Sequence, residues 1–178
     1  MKSKPYSRLV GSLMYAQVYT RPDLAFAVSV LARFQSNPGH DHWIAGKKIL
    51  RYLQKTKSYS LVYRIVSELE VEGFLDADFA GEYSDSRKST SGYVFMLTGG
   101  AIAWKSVKQT QIATSTVMAE YIAIYEAMCQ GLWLKNFLQQ TKLVSSIISK
   151  PLKVHCDNLA AVYFTKNNKR STNSKHIY

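Results

Sequence analysis

Val71 to Gly81 reads VEGFLDADFAG. Apolar and β-prone residues run up to Leu75, the pattern of a strand, and Asp76 and Asp78 then enter a turn rich in small residues. A carboxylate at the end of a buried strand is costly unless a cation or a cradle of hydrogen bonds compensates it. Two other acids are available as partners: Glu120 in VMAEYIAIYEA and Asp157 in LKVHCDN. The expectation is that Asp76, Glu120 and Asp157 converge to hold divalent metal that cuts a nucleic-acid backbone.

The flanking segments supply a fold for these acids. Ser60 to Ile65 (SLVYRI) and Leu69 to Leu75 pattern as the first strand pair or its approach. Gly81 to Ser91 is a polar turn, and Gly92 to Leu97 (GYVFML) a second apolar strand. Thr98, Gly99 and Gly100 make a tight hairpin turn, from which Ala101 to Lys105 (AIAWK) returns. Ser106 to Thr116 is a polar loop, and Ser115 or Thr116 can cap a helix running to about Gln140. Met118, Ile122, Tyr125 and Cys129 mark its expected apolar side, extended by Leu132, Trp133 and Leu134. Glu120 falls in the expected first turn, where a carboxylate also favours the helix dipole. Leu152, Val154 and Cys156 alternate with Lys153, His155 and Asp157 as in a strand, and Asn158 to Lys166 reads as a short helix. The order β-β-β-α-β-α predicts an α/β (α+β) fold with a mixed sheet and helices packed on it. Asp76 and Asp157 then lie near the carboxyl ends of strands, where open α/β sheets tend to hold ligands.

Residues 1–58 read as a helical segment and 59–178 as a second domain. In TRPDLAFAVSVLARFQSN, Thr20 is a candidate cap, Pro22 sits in the first turn, and Leu24, Ala27, Val28, Leu31 and Phe34 recur at helical spacing. Asp41 can cap HWIAGKKILRYLQKTK, with Trp43, Ile44, Ile49, Leu50 and Leu53 inward. Lys47, Lys48, Arg51 and Lys55 form a stripe that reads either as a phosphate-tracking ridge or as a solvated helix face. His40 and His42 flank an acid without further ligands nearby, which argues against a metal there.

Lys plus Arg number 23 against 12 Asp plus Glu, a net charge of +11. That excess suits a polyanion, nucleic acid ahead of a membrane surface, although a basic surface also serves solubility alone. Cys129 and Cys156 lack CxxC spacing and read as buried free thiols in a reducing compartment. MKSKPYSRLV has no apolar core of a signal peptide, and no apolar run approaches the roughly 18 residues of a membrane span. An intracellular location, cytoplasmic or nuclear, is expected.

Six stretches in order resemble one family: YSRLVGSLMYAQVYTRPDLAFAVSVLARF, HWIAGKKILRYLQKT, GFLDADFAG, DSRKSTSGYVFMLTGGAIAWKS, QTQIATSTVMAEYIA and VHCDNLAAV. Together they resemble the ribonuclease H region of copia-type retrotransposon Pol polyproteins, with 1–58 similar to the tail of the reverse transcriptase. The resemblance implies a ribonuclease H-like fold and cleavage of the RNA strand of an RNA–DNA hybrid. It also implies a connection to the polymerase region of a parent polyprotein. The family's carboxylates fall on Asp76, Glu120 and Asp157, with Asp78 a turn residue. The polymerase's own Asp-Asp motif is absent, so no polymerase activity is expected. Met118 stands where many relatives carry a second Glu. The chain ends at KHIY, where relatives continue into a last strand and a helix with a fourth acid. The expectation is a C-terminally truncated domain, with a catalytically inactive remnant that binds nucleic acid or a protein partner as the alternative.

Water-driven phosphodiester cleavage needs an activated nucleophile and charge relief at the leaving oxygen, which two Mg²⁺ ions about 3.5–4 Å apart supply. Asp and Glu ligands without a His/Cys cluster suit Mg²⁺, with Mn²⁺ as a substitute, and disfavour zinc. In the family's arrangement Asp76 bridges both ions, Glu120 binds one and orients water or ribose, and Asp157 holds the other. Arg87, Lys88, Ser89, Thr90, Ser115, Thr116 and Asn158 are candidate contacts to the hybrid backbone, which is read by shape, phosphates and 2′-hydroxyls. RKSTSG is equally legible as a plain hairpin turn. Trp104 and Trp133 read as core, and His155 as structural.

Overall fold

The computed structural model describes residues 4–81, 87–141 and 151–166. The basic tail and the KHIY end lie outside the described residues, as does part of the polar turn after Gly81. The chain divides into two compact units between Val62 and Tyr63, whereas the sequence suggests 58/59. No described helix is long and apolar enough to cross a membrane.

The first unit is helical: α1 (Tyr6–Thr20), a short 3₁₀ turn (Pro22–Leu24), α2 (Ala25–Ala32) and α3 (His40–Lys55). Tyr6, Val10 and Leu13 bury one face of α1 at helical spacing, against Leu24, Val28 and Leu31. The Tyr6 hydroxyl, itself buried, donates to Leu31 O at 2.8 Å. Gly46 lets α3 approach, since a Cβ there would lie 2.6 Å from Leu9 Cδ2. Four local expectations change. Thr20 ends α1 rather than capping the next helix, and its hydroxyl bonds back to Ala16 O. Gly39, not Asp41, is the N-cap of α3, and His42 Nδ1 accepts the Gly39 N–H at 2.8 Å. His42, stacked on Phe34, thus has a capping use in place of the loop position expected for it. Leu50 is exposed, because the buried side of α3 runs through Ile49 and Leu53.

The second unit holds β1 (Val71–Asp78), β2 (Thr90–Leu97), β3 (Gly100–Lys108), α4 (Thr116–Gln140), β4 (Lys153–His155) and α5 (Leu159–Lys166). The described strands form one mixed sheet in the order β3-β2-β1-β4, antiparallel except for the parallel β1–β4 pair. This mixed sheet with its helices is a ribonuclease H-like arrangement. Ser60 to Ile65 is not a strand. Its Arg64 N–H reaches Thr98 O and its Tyr63 hydroxyl reaches Ala101 O, isolated bonds at the hairpin end instead of a ladder. The hairpin turns on Thr98 and Gly99, both at positive φ (+54° and +86°), as a type I′ turn requires. A register shift between Phe95 and Met96 leaves Ile102 as the extra residue of a bulge in β3.

The core between sheet and α4 is built on close approach. Phe95 is fully buried, and a Cβ at Gly73 or at Gly131 would meet its ring at 2.5 and 3.0 Å. Ala119, Ala123, Ala127 and Gly131 follow one another at four-residue spacing and form the inward stripe of α4, with Leu134 below. The side expected to be buried is therefore largely the outer one. Tyr125 is 68% exposed, Leu132 52% and Trp133 58%, and Cys129 is an exposed thiol. Trp133 stacks on Phe137 at the surface. The sheet sits too close to α4 for large side chains, so the small residues face inward.

Candidate metal centre

Each carboxylate arrives on a different element. Asp76 lies on β1, paired with Gly92, and is exposed. Its strand neighbours Leu75 and Ala77 face the core, so alternation turns Asp76 the other way. Asp157 follows the short β4, exposed, and Asn158 then caps α5 by accepting the Ala161 N–H at 3.0 Å. Glu120 comes from α4. The helix begins at Thr116, with Ser115 accepting the Met118 N–H at 3.1 Å, so Glu120 lies past the first turn. The expected dipole benefit is correspondingly small, since it fades within that turn.

Glu120 is 6% exposed, and its two oxygens are held differently. Oε1 accepts the Ala77 N–H at 3.3 Å, and Oε2 faces the Cys156 thiol at 3.9 Å. Burial pushes its carboxyl above the usual range, and the charges of Asp76 and Asp157 add to the rise, against the opposing effect of the Ala77 bond. Glu120, Cys156 and Asp157 present ligand atoms all within 4.8 Å of one another. Asp76 is not a member of that tight set, but its charge acts on Glu120. Glu120 and Asp157 are thus brought together, Asp76 acts on Glu120 through its charge while standing outside the tight set, and Cys156, expected only as a buried thiol, joins Glu120 and Asp157 half-buried.

Burial and the two nearby carboxylates raise the Cys156 thiol, so it stays protonated at neutral pH. It serves as a hydrogen-bond donor here, and a soft ion would have to displace that proton. The donors left are carboxylate oxygens, a set that fits a hard divalent cation. No described Lys or Arg forms an ion pair with any of the three acids.

Asp78 folds over Gly81, where a Cβ would collide with its carboxylate. Ala80, with φ +48°, donates its N–H to Ser89 Oγ at 3.2 Å. Ser89 is fully buried and Thr90 nearly so, unlike the exposed hydroxyls expected of contacts to a docked backbone. Arg87 is exposed, at φ +53°, and the Lys88 ammonium donates to Thr110 O. Ser115 and Thr116 are exposed at the start of α4, Ser115 being occupied as a cap. Lys47, Lys48, Arg51 and Lys55 are all exposed on α3, in the helical unit rather than in the one that carries the carboxylates. His155 is exposed and stacks on Phe74.

Sequence reasoning did not single out Gln109. It is 1% exposed, and its Nε2 donates to Ser91 Oγ and to Ala119 O, both at 2.9 Å. Nothing in the polar stretch around it distinguishes this residue from its neighbours before the chain is folded.

No model of a known protein family matches the chain. Individual relatives do. The chain is 47% identical over 177 residues to the retrovirus-related Pol polyprotein from transposon TNT 1-94 of Nicotiana tabacum, a match covering 99% of this chain and 13% of that protein. It is 46% identical over 142 residues to the secreted RxLR effector protein 161 of Plasmopara viticola, covering 80% of this chain and 99% of that one. It is 34% identical over 172 residues to the Pol polyprotein from transposon RE2 of Arabidopsis thaliana, covering 97% of this chain and 12% of the polyprotein. With the mixed sheet and near-complete coverage of this chain by its transposon relatives, the chain belongs to the family of copia-type, retrovirus-related Pol polyproteins.

Proposed function

We propose that this chain is the ribonuclease H region of a copia-type element, and that it cleaves the RNA strand of RNA–DNA hybrids at Asp76, Glu120 and Asp157. The observation that carries the reading is Glu120: a nearly buried carboxylate under the charge of two others, with no described cation paired to it. Such a group is unfavourable by itself and is compensated by a divalent cation. Mg²⁺, or Mn²⁺ in its place, would be held by these three acids and would supply an activated water and charge relief at the leaving oxygen. The chain's own residues do the orienting. The Ala77 N–H fixes one Glu120 oxygen and the Cys156 thiol faces the other, while Asp76 and Asp157 stay open to solvent. Arg87 and Lys88 beside β2 supply positive charge for a phosphate backbone. In this reading the helical unit is the end of a reverse transcriptase, and the polymerase region of the parent polyprotein is a partner inside the cell.

Incubation of the folded chain with a labelled hybrid and Mg²⁺ tests this. Nicking of the RNA strand, abolished in Asp76→Asn, is expected, and no cleavage with either Mg²⁺ or Mn²⁺ would sink the catalytic reading. A second reading, a remnant that binds hybrid without turnover, is favoured by Asp76, which stands outside the tight set of Glu120, Cys156 and Asp157. Hybrid retention that weakens steeply with salt, without nicking, would select it.

A further inference from the structure

We infer that Gln109 is a positioning residue for the carboxylate site: its side-chain amide ties the helix that carries Glu120 to the strand pair that carries Asp76. The inference rests on the metal-site reading above. Gln109 stands one position past β3, and its backbone N–H donates to Ser89 O at 2.9 Å. Its Nε2 spends both hydrogens, on Ser91 Oγ and on Ala119 O. A peptide oxygen only accepts, so the Ala119 bond fixes which end of the amide carries nitrogen. Ser91 faces Ala77 across the β1–β2 pair, Ala77 donates to Glu120, and Glu120 follows Ala119 in α4. The contacts therefore close a ring: Gln109, Ser91, Ala77, Glu120, Ala119 and back to Gln109. The same residue also steadies the acidic turn, because Ser89, which accepts its backbone N–H, holds the left-handed Ala80.

Packing alone does not account for an amide at this position. Gln109 Oε1 is buried and accepts no hydrogen bond from the described residues. A side chain kept only to fill space would not carry two donors, each aimed at an acceptor on a different element. The two donated bonds have a direction, and that direction sets the depth and rotation of the first turns of α4, hence the Glu120 carboxylate. Partners hydrogen-bonded directly to a metal ligand are worth about 10–100-fold in metal affinity, and Gln109, one contact removed from Glu120, is set at the low end of that range.

The test compares Gln109→Met, which keeps the volume and removes the donors, with Leu134→Ala, which weakens the far end of α4. Mn²⁺ affinity is measured by titration of the Mn²⁺ electron-spin signal, and backbone amide exchange is followed at Ala77. In Gln109→Met the affinity is expected to fall about ten-fold or more, with faster exchange at Ala77. Leu134→Ala is expected to lower the Tm while leaving both readouts as in the wild type. Wild-type Mn²⁺ affinity together with unchanged Ala77 exchange in Gln109→Met overturns the inference. If Gln109→Met does not fold, Ser91→Ala, which deletes one acceptor, carries the test: a smaller loss of affinity supports the inference and no loss overturns it. If the wild-type chain binds no Mn²⁺, the metal-site reading fails and Ala77 exchange alone decides. Exchange faster in Gln109→Met than in Leu134→Ala then supports Gln109 as the clasp, and equal exchange overturns it.

Discussion

The two ends of α4 meet the sheet by different physics. In the middle and C-terminal half, Ala127, Gly131 and Leu134 offer small or aliphatic surface, and the Phe95 ring fills the space left between Gly73 and Gly131. At the N-terminal end the contacts are polar. Ser115 caps the helix, Ala119 O takes an amide hydrogen from Gln109, and Glu120 takes the Ala77 N–H. Apolar burial is strong and non-directional, whereas hydrogen bonds are individually modest but fix orientation. The comparison teaches that one end of the helix holds the domain together and the other aims its chemistry.

Substitutions can break that division or sharpen it. The largest effect belongs to the apolar end. Phe95→Ala empties the space between two glycines that cannot refill it, and is expected to destabilise by about 3–5 kcal/mol in chemical denaturation. Ser115→Ala removes only the cap and should cost about 1 kcal/mol, with a matching fall in the denaturation midpoint.

Glu120→Gln should act in the opposite direction and by less. Burial first, then the neighbouring Asp76 and Asp157, raises the Glu120 carboxyl in the folded chain, so its ionised form weighs against folding. That penalty is present above the raised folded value and fades as pH falls towards the ordinary carboxylate range. Without metal, the Gln variant is therefore expected to melt higher than wild type at neutral pH and to lose the advantage in acid. Added Mn²⁺ should stabilise the wild type alone. A variant that melts lower at neutral pH would show that Glu120 is structural. Smallest is Trp133→Ser on the outer face of α4, expected within about 0.5 kcal/mol of wild type by thermal melting.

Much of the fold is legible because backbone periods are written locally. Alternation through Leu75, the apolar run GYVFML and the Thr98–Gly99 turn give the meander, whereas Asp76 and Asp78, expected in a turn, still lie in β1, and the chain turns only after Asp78. The same local reading misjudges α4. Tyr125, Leu132 and Trp133 look like core by hydrophobicity, yet the close approach of Phe95 to Gly131 leaves room only for alanine and glycine. It also reads SLVYRI as a strand, although its backbone finds only isolated partners at the hairpin. At the site, Asp76, Glu120 and Asp157 stand out because acids beside apolar runs are unusual, while Ser89 and Thr90 look like surface hydroxyls in the sequence and are buried in the fold.

By itself the sequence determined the order of elements and the hairpin, since each rests on residue type and short-range spacing, and its likeness to relatives pointed to the family and to the three candidate acids. Only the tertiary structure decided which side of α4 faces inward, that the Cys156 thiol meets Glu120, and that Gln109 bridges Ser91 and Ala119. Those outcomes depend on how much space and how many unsatisfied polar groups remain once distant segments have packed, and no local pattern along the chain encodes that.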